Sequence, residues 1–449
     1  MPMRHRNNTR LSPYLWVLWC VLVPPVATVA SPLEIYGFDG RSVALANAMT
    51  TRGDDYTASF YNPALATKSD KIIAGAGWML HVPRLAVRLE RAPDDPKDAP
   101  IYPSRRSGLT VGGLFPLGET FGDRLAIAFG IYAPIGAMLE GDLNAPTTPQ
   151  FYRFHGRANK FVTTFGLGIT ATQWLSIGVG AQGLADLVGS VDIKLRLSDQ
   201  RVVGKDAIVE APFKMAPIVG VLVEPLDELR IGASWRRRIQ LDFDVPSALQ
   251  IDDAINLDIG LSGTALFTPD RWSFGLSYRI SPARLLVNTD IVLTRWSTAP
   301  DPTLNVELNA SGTLLEGLGL AERLDVAGSR PVDLNFKDTW SIRLGVEHQL
   351  MAWLALRTGY GYEPSPAPPA SGAYNYLDPS HHRYALGLGF MVENPIALGQ
   401  RRIHIDIAYA LLDLSPTTAQ KVAGSRDPVG DYEAIGRVHV CAFTLRHEL

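Results

Sequence analysis

About fourteen short segments of this chain alternate apolar with polar residues, and the connections between them are by turns short and long. Few folds accept that rhythm. Tight turns at one rim and large loops at the other belong to a transmembrane antiparallel β-barrel, an all-β fold. Such a barrel can stand in hydrocarbon because each backbone N–H and C=O pairs with a neighbouring strand, so no open edge faces lipid. No stretch after residue 30 approaches the roughly twenty consecutive apolar residues of a spanning helix. If the chain crosses a membrane, strands carry it.

A period of two assigns the faces. In 341–350, Ile342, Leu344 and Val346 stand opposite Ser341, Arg343, Gly345 and Glu347. In 402–411, Ile403, Ile405, Ile407, Tyr409 and Leu411 stand opposite His404, Asp406, Ala408 and Ala410. Residues 271–280 and 383–392 divide in the same way. Each run has about ten residues, the length a tilted strand needs to cross. A soluble sandwich or lipocalin-like barrel would turn the bulky face inward. With this many strands it would enclose a wide, polar-lined hole. The other face carries Arg236, Arg238, Arg279, Asp290, Arg343, Glu347 and Arg357. A charge facing lipid costs roughly 2–4 kcal/mol near mid-membrane, so that face is the lumen and the bulky face meets lipid. Trp174, Trp272, Trp296, Trp340 and Trp353 fall at or near strand ends, where aromatic girdles belong.

Residues 1–30 have the layout of an export signal. Arg4, Arg6 and Arg10 precede an apolar core over 11–23, and Thr28-Val29-Ala30 offers small residues for cleavage before Ser31. Bulky Trp19 before Cys20 argues against a lipoprotein, and Pro13, Pro24 and Pro25 against an anchor helix. Removing the segment takes three arginines and no acids from 42 basic and 45 acidic residues, leaving a net charge of about −6. That balance does not suggest nucleic-acid binding. Cys441 alone remains, so no disulfide forms within the mature chain. Export together with a β-barrel points to a bacterial outer membrane, crossed many times.

Ser31–Ser69 breaks the strand rhythm and reads as short helix and turn. It contains Val43–Met49, Asp54–Ala58 and then Asn62-Pro63-Ala64. Here the chain resembles the FadL/TodX family of outer-membrane channels for long-chain fatty acids and other hydrophobic compounds. Asn62-Pro63-Ala64 stands where that family carries an Asn-Pro-Ala signature. Pro269-Asp270-Arg271-Trp272, Arg295-Trp296-Ser297 and Lys337-Asp338-Thr339-Trp340-Ser341 are also similar, as are Leu356–Tyr360, Glu363–Pro366 and His382-Arg383. A departure is the C-terminal Leu449, where many such barrels end in an aromatic residue. The resemblance implies residues 31–69 as a hatch plugging the lumen and 70–449 as a barrel of about 14 strands. Strands are expected to start near residues 71, 107, 122, 156, 174, 212, 229, 269, 284, 338, 353, 383, 402 and 436. The long connections, near 92–106, 134–155, 198–211, 243–268, 297–337, 363–382 and 413–435, would lie outside the cell.

Passive uptake of hydrophobic compounds sets physical demands. Ten buried methylenes are worth roughly 8 kcal/mol, so such a solute needs a greasy landing site and weaker sites beyond it. The fourth long connection carries Leu249, Ile251, Ile255, Leu257, Ile259, Leu261, Leu266 and Phe267, which either form part of an external groove or pack against neighbouring loops. The family resemblance implies a kink in the third strand that opens the wall sideways. Gly130 permits a bulge and Pro134 cannot donate to the ladder, with Tyr132 between them; the alternative is that Pro134 ends the strand. Arg343 and Arg357 either orient a carboxylate head group or belong with Glu347 to a structural charge ladder.

Catalytic signals are poor. Gly178–Gly183 matches a dinucleotide fingerprint but lies in a strand without βαβ context. His381-His382 lacks a convincing metal-ligand set. Arg52-Gly53-Asp54 is read as hatch structure. No enzyme activity, cofactor or metal is expected. The expected partners are a hydrophobic ligand, outer-membrane lipid and lipopolysaccharide, with the protein a monomer. A general porin for small polar solutes is the competing reading, and it would need an open pore.

Overall fold

The computed structural model describes residues 27–28, 31–32, 35–89, 98–99, 105–118, 124–135, 143–144, 148–154, 161–185, 188–196, 201–210, 213–251, 255–303, 305–313, 332–393, 402–425 and 427–449. Fourteen antiparallel strands make one barrel. They are β1 (Ile73–Leu89), β2 (Arg106–Pro116), β3 (Leu125–Ile135), β4 (Val162–Thr172), β5 (Leu175–Ala185), β6 (Phe213–Leu226) and β7 (Leu229–Arg236), then β8 (Arg271–Ile280), β9 (Leu285–Thr294), β10 (Thr339–Met351), β11 (Leu354–Glu363), β12 (His381–Glu393), β13 (Arg402–Ala419) and β14 (Tyr432–Glu448). Each pairs with the next, and β14 pairs back onto β1 from Tyr432↔Leu89 to Glu448↔Ile73, closing the cylinder. Only β4 starts far from its sequence expectation, at Val162 rather than near Gly156.

The two faces separate as the period of two requires. On β8, Trp272, Phe274, Leu276 and Tyr278 point outward and are exposed, while Ser277 is buried. On the neighbouring β9, Ile291 is exposed and Asp290 is buried in the lumen. Trp174, Trp272, Trp340 and Trp353 stand exposed at strand ends, as girdle residues do. Trp296 does not: it is fully buried in a cluster with Tyr152, Phe267 and Phe336. It lies in a short 3₁₀ turn after β9, where the following connection folds over it. Arg238 also departs from expectation, lying beyond the end of β7 and exposed rather than on the lumen wall.

The fourth long connection is not a loop over 243–268. Ile239–Ile251 and Ile255–Thr268 form a hairpin that pairs Leu249 with Leu257 and Ile251 with Ile255. It joins Val188–Arg196, Arg201–Glu210 and Asn305–Ser311 in a second sheet beyond the barrel rim. Ile255, Leu257, Ile259 and Leu261 alternate with Asn256, Asp258 and Gly260, the same pattern that makes wall strands.

Residues 35–72 precede β1, and 35–66 of them fill the lumen. Helix α1 (Gly40–Ala44) starts at Asp39, whose side chain accepts from Ser42 N at 2.7 Å in a capping box. Helix α2 (Ala58–Tyr61) leads into a 3₁₀ turn, Pro63–Lys68. Proline suits the first position of that turn, since it has no N–H to leave unpaired. Most of the expected export signal lies outside the described residues.

Candidate functional site

Every residue from 35 to 66 is buried except the half-buried Asp54. The wall makes room for them with glycine. A Cβ added at Gly178 would lie 2.1 Å from Ala64 N, and one at Gly220 would lie 1.9 Å from Asn62 Oδ1. The Asn-Pro-Ala segment is thus seated directly on backbone of β5 and β6. Asn62 Nδ2 donates to Thr50 O at 2.9 Å and to Val221 O of β6 at 3.1 Å, while Oδ1 accepts from Ala64 N at 3.1 Å. One side chain therefore caps a turn, ties two hatch segments and fastens both to the wall. The glycine-rich run at Gly178 has a steric purpose that no nucleotide requires.

Gly130 serves the hatch too, rather than a bulge. The β3 ladder runs without a register shift past Gly130 on both sides, so there is no bulge. A Cβ at Gly130 would instead meet the Phe38 ring at 2.6 Å. Tyr132 is buried in the lumen. Pairing with β4 stops at Tyr132↔Val162, while pairing with β2 continues through Gly108↔Pro134 to Ser107↔Ile135. The position on β4 that would face Pro134 lies outside the described residues.

On the other side of the lumen, charges alternate from hatch to wall and back. Arg41 of α1 meets Glu347 of β10 through Nε and Nη2, both at 3.1 Å. Glu347 also accepts from Arg357 Nε at 2.5 Å. Arg357 passes on to Asp406, Asp406 to Arg446 Nη2 at 2.6 Å, and Arg446 to Asp55 in the hatch. Two of the three expected lumen charges are consumed: Glu347 and Arg357 belong to this ladder. Arg41, Asp55, Asp406 and Arg446 complete it and were not singled out from sequence. Asp406 was visible only as an inward position on its strand. Next to the ladder, burial and the negative charges of Asp55 and Asp406 push the Asp39 carboxyl up to about 6, against the pull of Arg446.

A second chain of charges lies on the opposite flank. Lys68 Nζ meets Glu224 at 2.5 Å, Glu224 meets Arg230 Nε at 2.8 Å, and Arg230 Nη1 meets Asp54 at 3.0 Å. Arg52 Nη1 adds 3.2 Å to the same carboxylate. Burial alone would raise Asp54, but Arg52 and Arg230 outweigh it and hold the carboxyl at about 2.

Arg343, the third expected charge, has a different setting. Its Nη1 lies 3.5 Å from Asn47 O, and with Arg236, Arg271 and Arg383 it lines a cavity of about 30 Å³ against Phe60 and Tyr61 of the hatch. Arg236 stacks its guanidinium 4.3 Å from the Phe60 ring, and Arg383 donates to Tyr36 O at 3.0 Å. Glu363 is the carboxylate at that cavity. Of the external apolar residues, Ile255, Leu257 and Ile259 are half-buried. Phe267 is fully buried in the cluster with Trp296 and is closed to a solute. The side chains of Leu249, Ile251, Leu261 and Leu266 lie outside what the structure describes. His381 and His382 face opposite sides of β12, His381 towards Glu363 at 3.6 Å and His382 towards Tyr360 Oη at 2.9 Å.

No curated protein matches this chain. Among solved structures, a Pseudomonas aeruginosa FadL homologue is 13% identical and covers 95% of this chain and 100% of its own, with a TM-score of 0.59. The P. putida toluene transporter TodX is 14% identical, with coverage of 93% and 99% and a TM-score of 0.59. The CymD monoaromatic hydrocarbon channel is 12% identical, with coverage of 93% and 99% and a TM-score of 0.54. These likenesses establish a shared fold. A family profile, outer membrane protein transport protein (OMPP1/FadL/TodX), matches residues 213–448, more than half of the sequence. With that match, and with a closed fourteen-stranded barrel around it, the chain belongs to the OMPP1/FadL/TodX family of outer-membrane transport proteins.

Proposed function

We propose that this protein lets hydrophobic compounds, such as long-chain fatty acids or aromatic hydrocarbons, diffuse passively across the outer membrane. The observation that carries this reading is the filled lumen. Every residue from 35 to 66 is buried except the half-buried Asp54, and the cavity they leave against Arg343 and its neighbours is about 30 Å³. A plug packed this closely among the described residues weighs against a general porin. A hydrophobic solute brings its own driving force out of water and can wait in an apolar site until the hatch shifts. Its relatives by fold include a toluene transporter and a monoaromatic hydrocarbon channel.

In this reading the external hairpin is the landing site, through residues such as Ile255, Leu257 and Ile259. Its base touches the start of the hatch, for Ser31 and Pro32 pair with Leu266 and Phe267. Displacement at the hairpin therefore reaches the lumen plug directly. Exit is sideways beside Pro134, which cannot donate to a ladder. In this reading the protein works as a monomer.

Single-channel recording with an uptake assay tests this. Near silence to ions with uptake of an apolar solute is expected; steady high conductance would restore the porin. Tying Ala64 to β5 by a cross-link should abolish uptake. Full uptake by verified cross-linked protein would rule out hatch movement.

A further inference from the structure

We propose that the lipid-facing wall at the β13–β14–β1–β2 seam seats the phosphorylated head group of an outer-leaflet glycolipid, with its acyl chains in furrows below. The outward positions of β1 are Ala74, Ala76, Trp78, Leu80 and Val82, all apolar, and then Arg84 and Arg88. From Ala74 to Arg84 a tilted strand rises roughly 25 Å, the height of the apolar band of such barrels. Arg84 thus stands where hydrocarbon gives way to head groups.

The register places Arg437 of β14 directly opposite Arg84. Like charges facing each other across a pair of strands repel, and an anion between them removes the repulsion. Asp98 stands opposite Arg88 in the register, and two further carboxylates among the described residues share this region. Asp413 takes Arg437 Nε at 2.8 Å, and Glu433 takes Arg88 at 3.5 Å. Arg84 and the exposed Arg105, at the start of β2, have no ion pair among the described residues. With Asp98 counted, Arg84, Arg88, Arg105 and Arg437 exceed the carboxylates placed here by one. On the far wall, Arg237 is matched with Asp270 at 3.9 Å and Arg295 with Asp338 at 3.3 Å. What marks the seam is the face-to-face placement of Arg84 and Arg437.

The surface beneath the arginines tells a lipid from a soluble anion. A furrow of about 440 Å³ runs down the outer wall between Trp78, Leu388, Ile407, Cys441 and Phe443, floored by Gly387 and Ala408. A second furrow, of about 550 Å³, adjoins it and shares Leu386 and Tyr409. Guanidinium groups take phosphate oxygens in bidentate fashion, and furrows of that size take acyl chains. Free phosphate would use the first and leave the second empty.

The test is binding to the purified, full-length barrel in detergent, read by native mass spectrometry and by thermal shift. Three probes are used: bis-phosphorylated lipid A, its dephosphorylated form and inorganic phosphate. Lipid A should bind the wild type. Affinity should fall at least tenfold for the dephosphorylated lipid and for an Arg84→Gln/Arg105→Gln variant whose heat-modifiable migration shows a folded barrel. Arg295→Gln on the far wall should change nothing. Equal binding of the two lipids to the wild type would overturn the proposal, whatever the variant does. So would unchanged binding by the double variant, an equal loss in Arg295→Gln, or displacement of lipid by equimolar inorganic phosphate. These residues lie outside the lumen, so uptake of hydrophobic solutes should persist in the double variant, and failure of the uptake reading leaves this test intact.

Discussion

The hatch is held on two flanks by chains of charge made from the same residue types, and the two chains differ in one respect. Towards β10–β14, the ladder Arg41–Glu347–Arg357–Asp406–Arg446–Asp55 has side chains no more than 14% exposed. Towards β6 and β7, the members of Lys68–Glu224–Arg230–Asp54 are 13–27% exposed. Water can take over at the second chain when a partner is lost. At the first it cannot, so each charge there depends on its neighbours. The buried ladder is thus a device of position: it is satisfied only with α1 and Asp55 in place. The rim chain contributes little more than its modest Coulomb gain.

Substitution should separate the two. Arg446→Ala leaves Asp406 and Asp55 without their shared guanidinium, beside a third carboxylate, Asp39. Hatch docking should weaken by about 3–5 kcal/mol, seen as ion conductance and protease cleavage within 35–66. A variant as silent and as protected as wild type would break the comparison. Next comes a seat that uses no charge. Gly178→Val places side-chain atoms into the backbone at Ala64 and should weaken docking by about 3 kcal/mol. If it opens the channel while Arg446→Ala does not, shape rather than charge holds the plug.

Acidity probes both flanks at once, with opposite signs. Asp39 is raised to about 6, so its contribution to docking is present below the ordinary aspartate value near 4 and is lost as pH rises through 6. Asp54 is lowered to about 2, so its contribution is present above about 4 and is lost as pH falls towards 2. Hydrogen exchange should show residues near Asp39 better protected at pH 4 than at pH 7. Protection near Asp54 should fail only in stronger acid. A common pH midpoint for both regions would contradict the difference drawn here. The smallest effect is expected of Glu224→Gln, about 1 kcal/mol or less. It should shrink further in 1 M salt, whereas the defect of Arg446→Ala should not.

Some of this was legible beforehand for a simple reason. Whether Leu344 faces lipid and Arg343 the lumen depends on a period of two within one strand, and ten consecutive residues carry it. The number of strands and the alternation of turns with long connections are equally local. The Asn-Pro-Ala segment announced a hatch through resemblance. The external hairpin was missed although 255–261 has the wall's own period, because alternation does not say whether a strand pair stands in lipid or above it.

The amino-acid sequence by itself determined the membrane barrel and its lipid face, because side-chain direction along a strand is set by local geometry; the place of the plug came through family resemblance. Tertiary structure alone decided that Arg357 serves a ladder, that Gly130 makes room for Phe38 and that Trp296 is buried. Arg446 and Asp55 are 391 residues apart. They meet only when the last strand closes on the first with the hatch inside, and no local period records that meeting.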